Sequence, residues 1–98
     1  MRVPLLTEEE IAGCLADVPG WARVGEAITR TYRFAGFRAA IAFVTQVAEA
    51  AEDADHHPDI DVRYRNVTLL LTTHDVGGLT RLDFKLAAVC DALAEGAK

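Results

Sequence analysis

Basic side chains are scarce in this chain: ten Lys and Arg stand against fifteen Asp and Glu, a formal net charge of -5 over 98 residues. A protein that grips nucleic acid through its phosphates shows the opposite balance, so nucleic acid is not an expected partner. Long apolar runs are missing too. None approaches the ~20 residues that span a bilayer, which argues against a membrane protein. The opening MRVPLLTEEE has one arginine and few apolar residues, unlike a secretory leader, so a cytoplasmic location is expected. Cysteine occurs twice, as Cys14 and Cys90, without CxxC spacing. Both lie in apolar helical patterns and read as buried free thiols rather than a disulfide. Repeats, low-complexity tracts and linkers are absent. What remains is an ordinary globular composition, 51% hydrophobic and 26% charged, of a length that fits one domain over residues 1–98.

The order of elements follows from periodicity and punctuation. Thr7 and Glu10 in TEEE form a capping box that starts a short helix, Glu8 to Asp17, presenting Ile11, Cys14 and Leu15; Pro19 and Gly20 close it off. Ile28, Tyr32 and Phe34 alternate with Thr29, Thr31 and Arg33, which predicts a half-buried strand over 27–34. Trp21 to Val24 is expected to pair with it across a Gly25–Glu26 turn. From Phe37 to about Ala54 the spacing becomes helical, with Phe37, Ile41, Val44, Ala48 and Ala51 as the expected apolar line, backed by Phe43 and Val47. Pro58 disfavours helical geometry at His57, so the helix should stop near the histidines. A hairpin follows, with Val62 and Tyr64 on one face, a turn at Arg65–Asn66 and a second strand from Val67 to His74. The last helix starts at Thr80, carries Leu79, Leu82, Leu86, Val89 and Leu93 on one face, uses Thr80 and Asp83 as caps and ends at Gly96. The order α-β-β-α-β-β-α predicts an α+β two-layer sandwich, a four-stranded antiparallel sheet with three helices on one face. The apolar last helix makes self-association plausible.

Only three histidines are present, and two of them, His56 and His57, sit in the acidic stretch EDADHHPDIDVRY. The end of a helix dipole and the neighbouring Glu52, Asp53, Asp55 and Asp59 all favour a protonated imidazole, the state a general acid needs. The plainer reading makes them surface residues that satisfy the last helix carbonyls. A metal site built from the three histidines is a further alternative. Adjacent histidines usually diverge, however, and HExxH spacing is absent. His74 tips the balance. Pairing around a turn at 65–66 makes partner positions sum to about 131–132, which sets His74 beside His57 or Pro58, and all three imidazoles converge at one end of the sheet. Asp83, in the first turn of the last helix, is within reach of the same place. For Glu52 and Asp83 the competing readings are an exposed helix charge and a capping residue.

The stretch from Glu52 to Asp83 resembles the active-site signature of the pterin-4a-carbinolamine dehydratases. Glu52 is followed after three residues by His56-His57-Pro58, then by Tyr64, His74 and Asp83 at the spacings of that pattern. The likeness extends to Gly20–Trp21, the YRF strand, Gly36–Phe37 and the final stretch from Leu79. It implies the same element order, a homodimer joined through sheet edges or a tetramer paired through helices, and a lyase that removes water from 4a-hydroxytetrahydropterin to give the quinonoid dihydropterin. No cofactor or metal is implied, the pterin being the substrate. By the same resemblance His56 and His74 are the acid/base candidates and His57 binds and orients the pterin. Glu52, Asp55, Pro58, Thr73 and Asp83 support substrate or histidines. Two departures bear on substrate affinity: Ile60 stands where many members have an aromatic, and Leu82 where many have arginine, with Arg81 one place earlier. Some relatives of this kind serve instead as dimerisation partners of a transcription factor or as assembly factors, so a non-catalytic binding module is the alternative.

Overall fold

Seven regular elements and one tight turn make up the computed structural model, which describes residues 2–97. In chain order they are α1 (Glu8–Asp17), β1 (Ala22–Val24), β2 (Ala27–Arg33), α2 (Phe37–Ala54), β3 (Asp59–Arg63), β4 (Asn66–Leu71), a 3-10 turn at His74–Val76 and α3 (Arg81–Ala97). All strand pairs are antiparallel in the order β1-β2-β4-β3, so β1 and β3 are the edges. The α+β order expected from the sequence is observed, as is the capping box. Thr7 Oγ1 accepts from the Glu10 amide at 3.1 Å and Glu10 Oε1 accepts from the Thr7 amide at 2.9 Å, a device worth ~1 kcal/mol.

The core fills the space between one face of the sheet and the helices. Ile28, Tyr32, Val67, Leu69 and Leu71 enter it from β2 and β4, and Ile11, Phe43, Val47, Leu86 and Cys90 from the helices. Phe43 is central, its ring 4.9 Å from those of Tyr32 and Phe34. Asp91 of α3 ties this layer to the sheet: its Oδ1 accepts from Trp21 Nε1 at 3.0 Å, from Arg30 Nη1 at 2.8 Å and from the Tyr32 hydroxyl. Burial first, and this hydrogen bond second, push the Tyr32 hydroxyl well above the usual tyrosine range. The Gly20–Trp21 pair now has a physical reason. A Cβ on Gly20 would lie 2.5 Å from the Arg30 guanidinium carbon, and Trp21 supplies one of the donors to Asp91.

Five expectations need correction. On α2 the buried line is Ala40, Phe43, Val47 and Ala51, while Phe37 and Ile41 are exposed. The apolar arc of this helix is wider than the contact it makes, and the sheet takes the Phe43 side. On α3 the buried line runs through Asp83, Leu86, Ala87, Cys90 and Ala94, not through Leu82 and Val89, because small residues let the helix approach its neighbours closely. Leu79 is buried but precedes the helix, and Gly96 lies inside it. The second hairpin turns at Tyr64–Arg65, with Tyr64 in the left-handed region (φ 54) and exposed rather than on the Val62 face. Finally, Cys14 is half-buried rather than buried. Cys90 is buried as expected, and burial pushes its thiol up to about 12.

Candidate active site

The helix end that presents the histidines is set by Asp55, before Pro58 acts. Asp55 is left-handed (φ 49, ψ 45). Its amide donates to Glu52 O at 3.2 Å and the His56 amide donates to Ala51 O at 3.0 Å. That pair of bonds is a Schellman ending with aspartate where glycine is usual. The sequence placed the stop near the histidines and credited Pro58; the pattern of hydrogen bonds assigns it to Asp55. Once the chain has left the helix, His56 turns inward and is 8% exposed, whereas His57 stays exposed and bonds to the Glu52 carboxylate.

His74 arrives from the other side by a route the sequence reading missed. Register in the hairpin pairs Asp59 with Leu70 and Arg63 with Asn66, so partners sum to 129 rather than 131–132. β4 ends at Leu71, and His74 lies in the 3-10 turn, beyond the strand. Thr73 and Gly78 bridge the base of this turn, their amides and carbonyls bonding at 3.0 and 3.3 Å. Gly77 (φ 70) takes the left-handed position that lets it close. Thr72 Oγ1 donates to Glu26 O at 2.6 Å and ties the segment to the β1–β2 turn. Convergence of the three histidines therefore holds, although for a different geometric reason.

A cavity of about 190 Å³ is lined by Asp55, His56, His57, Thr72, Thr73, His74 and Asp75. Behind it stands Asp83, fully buried. Asp83 Oδ1 is 2.6 Å from His56 Nε2. Its Oδ2 accepts from the Thr73 hydroxyl and from the Thr80 amide, both at 2.9 Å. The carboxylate also sits in the first turn of α3, where the helix dipole favours a negative charge. Both competing readings of Asp83 thus merge, since it caps α3 with Oδ2 and holds the histidine with Oδ1. A second concavity, about 510 Å³, lies between α2 and α3 and shares His56 with the first. It is the larger of the two, but it is mostly apolar and holds one histidine. The chemistry favours the smaller cavity.

Of the residues singled out from the sequence, His56, His57, His74, Asp55 and Thr73 line the cavity, and Glu52 and Asp83 each hold one of its histidines. Pro58 is half-buried and is not part of the wall. Ile60, 38% exposed, is on edge strand β3 opposite Leu69 and also lies outside the wall. Leu82 borders the larger concavity, and Arg81 is exposed at the start of α3. Thr72 and Asp75 went unnoticed in the sequence, and Thr80 was read as a helix cap only. Among the described residues no group of three or more His, Cys, Asp and Glu is arranged to hold a metal ion, and no helix is long and apolar enough to cross a membrane.

Comparison with known proteins points to one family. The family model described as pterin 4 alpha carbinolamine dehydratase matches residues 4–93. A Chloroflexus aurantiacus protein with the provisional name pterin-4-alpha-carbinolamine dehydratase is 58% identical over 91 residues, 93% of this chain and 98% of that one. A Nocardia farcinica protein of the same provisional name is 54% identical over 94 residues, 96% of this chain and 99% of that one. Among solved structures, a transcriptional coactivator/pterin dehydratase from Brucella melitensis superposes with a TM-score of 0.90 at 41% identity, covering 93% of this chain and 99% of that one. A pterin dehydratase-like RuBisCO assembly factor of the alpha-carboxysome, TM-score 0.68 over 76% of this chain and 89% of its own, shares the fold at 24% identity.

Proposed function

The chain belongs to the pterin 4 alpha carbinolamine dehydratase family, and we propose that it is a hydro-lyase that removes water from 4a-hydroxytetrahydropterin and returns the quinonoid dihydropterin. The observation that carries this reading is three imidazoles on one cavity, one of them seated on a buried carboxylate. The reaction needs a proton delivered to a departing hydroxyl and a proton taken from a ring nitrogen. The two transfers balance, and water is the only other product. No metal, cofactor or redox partner enters the reaction as proposed, and imidazole is suited to both transfers at neutral pH.

The surroundings of the three rings divide the work. His56 is buried and oriented by Asp83, and a fixed ring is what proton transfer in a set geometry requires. His74, exposed at the tip of the 3-10 turn, serves as the second acid/base group. His57, paired with Glu52 at the cavity rim, binds and orients the flat ring. The protein works in the cytoplasm in this reading. Exposed Phe37 and Ile41 on α2 favour a homo-oligomer joined through that helix.

Stoichiometric folded protein should accelerate the dehydration of chemically generated 4a-hydroxytetrahydropterin over the rate without protein, followed by absorbance, and no acceleration would overturn the assignment. A non-catalytic binding module would give that negative result with the fold intact.

A further inference from the structure

We infer that Thr80, outside the cavity wall, is a positioning residue of this site, and that it does so through a one-way hydrogen-bond chain that leaves Nδ1 of His56 as the nitrogen that exchanges protons with substrate. The direction of the chain follows from counting donors. The Leu82 amide, which can only donate, points at Thr80 Oγ1 at 3.2 Å. At the other end Asp83 Oδ2 can only accept, so the Thr73 hydroxyl spends its one proton there, at 2.9 Å. Thr73 Oγ1 then accepts from the Thr80 hydroxyl, 2.8 Å away. The Thr80 amide also donates to Asp83 Oδ2, at 2.9 Å. Oδ2 is therefore filled by two donors, and the one proton left to place lies on the line between Oδ1 and His56 Nε2. A carboxylate accepts, so Nε2 carries that proton and donates. Among the described residues Nδ1 of His56 has no hydrogen-bond partner. No buried side-chain nitrogen or oxygen among them is left without a partner, so the unpartnered Nδ1 is one that solvent reaches.

The order of the links explains why a threonine so far back matters. Thr80 is fully buried and touches the acid only through its amide. Its hydroxyl donates to Thr73 Oγ1, which anchors and polarises the Thr73 hydroxyl that donates to Asp83. If the Thr80 hydroxyl is removed, Thr73 keeps Asp83 as its acceptor but loses its own donor, the Leu82 amide loses its acceptor, and the carboxylate loses part of what holds it square to the imidazole. The inference rests on the dehydratase reading for its kinetic arm alone. Its spectroscopic arm stands without any activity.

The test is an ¹⁵N spectrum of the histidine side chains, with His56 assigned by its loss in His56→Ala, together with dehydratase kinetics of Thr80→Val and Thr80→Ser. In the wild-type protein neutral His56 should show a protonated Nε2 and a bare Nδ1. Thr80→Val keeps the shape of the side chain. It should lower kcat about tenfold, the order expected from one lost buried hydrogen bond, with KM little changed and the Nε2 proton exchanging faster. Thr80→Ser should restore most of the rate. A wild-type His56 protonated on Nδ1 overturns the inference whatever the kinetics show. So does a folded Thr80→Val that matches wild type in both spectrum and kcat, and so does a fall in rate that serine does not rescue. A protein with no dehydratase activity but with the Nε2–H form would count against the proposed reaction and in favour of the chain.

Discussion

Two aspartates on α3, Asp83 and Asp91, each gather donors from the rest of the molecule, and they do opposite things. Asp83 is fully buried and takes His56, the Thr73 hydroxyl and the Thr80 amide. Asp91, a little over two turns further along the helix, is partly open and takes Trp21, Arg30 and the Tyr32 hydroxyl. The partners decide the use. Arg30 keeps its charge at any pH a protein meets, and the indole and phenol around Asp91 are poor proton carriers near neutrality, so that cluster is a staple. Asp83 instead faces the imidazole of His56, and its other partners are a hydroxyl and an amide that can be aligned. A carboxylate beside a permanent cation holds the fold, and one beside an imidazole can direct chemistry.

That contrast can be broken in several ways. The largest expected effect is on catalysis: His56→Ala and His74→Ala should each lower kcat by on the order of 10² to 10⁴, with the unfolding midpoint nearly unchanged for exposed His74. If neither rate falls, the acid/base assignment is wrong even for a genuine dehydratase. Next comes stability. Asp91→Ala strands an arginine, an indole and a phenol and should cost about 2–3 kcal/mol, read as a drop of roughly 10 °C in Tm, while kcat per folded molecule holds. A matching loss of kcat would show that Asp91 also serves the site.

How far the sequence could be read divides along the same line. Thr7 with Glu10, the alternation in β2 and the 3.6-residue period of α2 are local signals, and they placed α1, β2 and α2, whereas the strand expected to reach His74 stops at Leu71. The histidine pocket was legible because a proline, a hairpin and three rare imidazoles coincide in one short stretch. What escaped needed tertiary information. Which arc of α2 is buried depends on the sheet beneath it, and a helix apolar on both flanks does not say. The Asp55 stop was hidden because a left-handed aspartate has no signature as strong as glycine's. The hairpin register slipped because Tyr64, a poor candidate for a positive φ, holds the turn. The Asp91 staple joins residues from β1's flank, β2 and α3, and no spacing rule connects them.

Alkaline pH sharpens the comparison at a smaller scale. Cys90 and Tyr32, two groups with raised values, both border Asp91. For Cys90, burial and then the Asp91 charge raise the folded thiol from 9.0 to about 12. The unfolded chain therefore gives up its proton first, and the contribution, fully present below pH 9, is lost as pH rises toward 12. Tyr32 acts in the same direction above its ordinary value. Urea midpoints should be flat through neutrality and fall above pH 9, with a shallower fall in Asp91→Asn. An unchanged slope in that variant would detach the alkaline loss from this cluster. The smallest effect is expected at Gly20→Ala, where the new methyl displaces the flexible end of Arg30. It should weaken the Arg30–Asp91 pair by about 1 kcal/mol or less, visible as a small Tm shift with no change in rate.

The division of labour between Asp83 and Asp91 is tested most directly by one measurement, kcat for 4a-hydroxytetrahydropterin dehydration by Asp83→Asn and Asp91→Asn side by side, each scaled to its folded fraction. Loss of at least about 100-fold is predicted for Asp83→Asn, because the amide no longer holds His56 as an accepting carboxylate does. Asp91→Asn should stay within about twofold of wild type, since its role lies in stability. Equal losses in the two variants, or an Asp83→Asn protein as fast as wild type, would contradict the division of labour on α3.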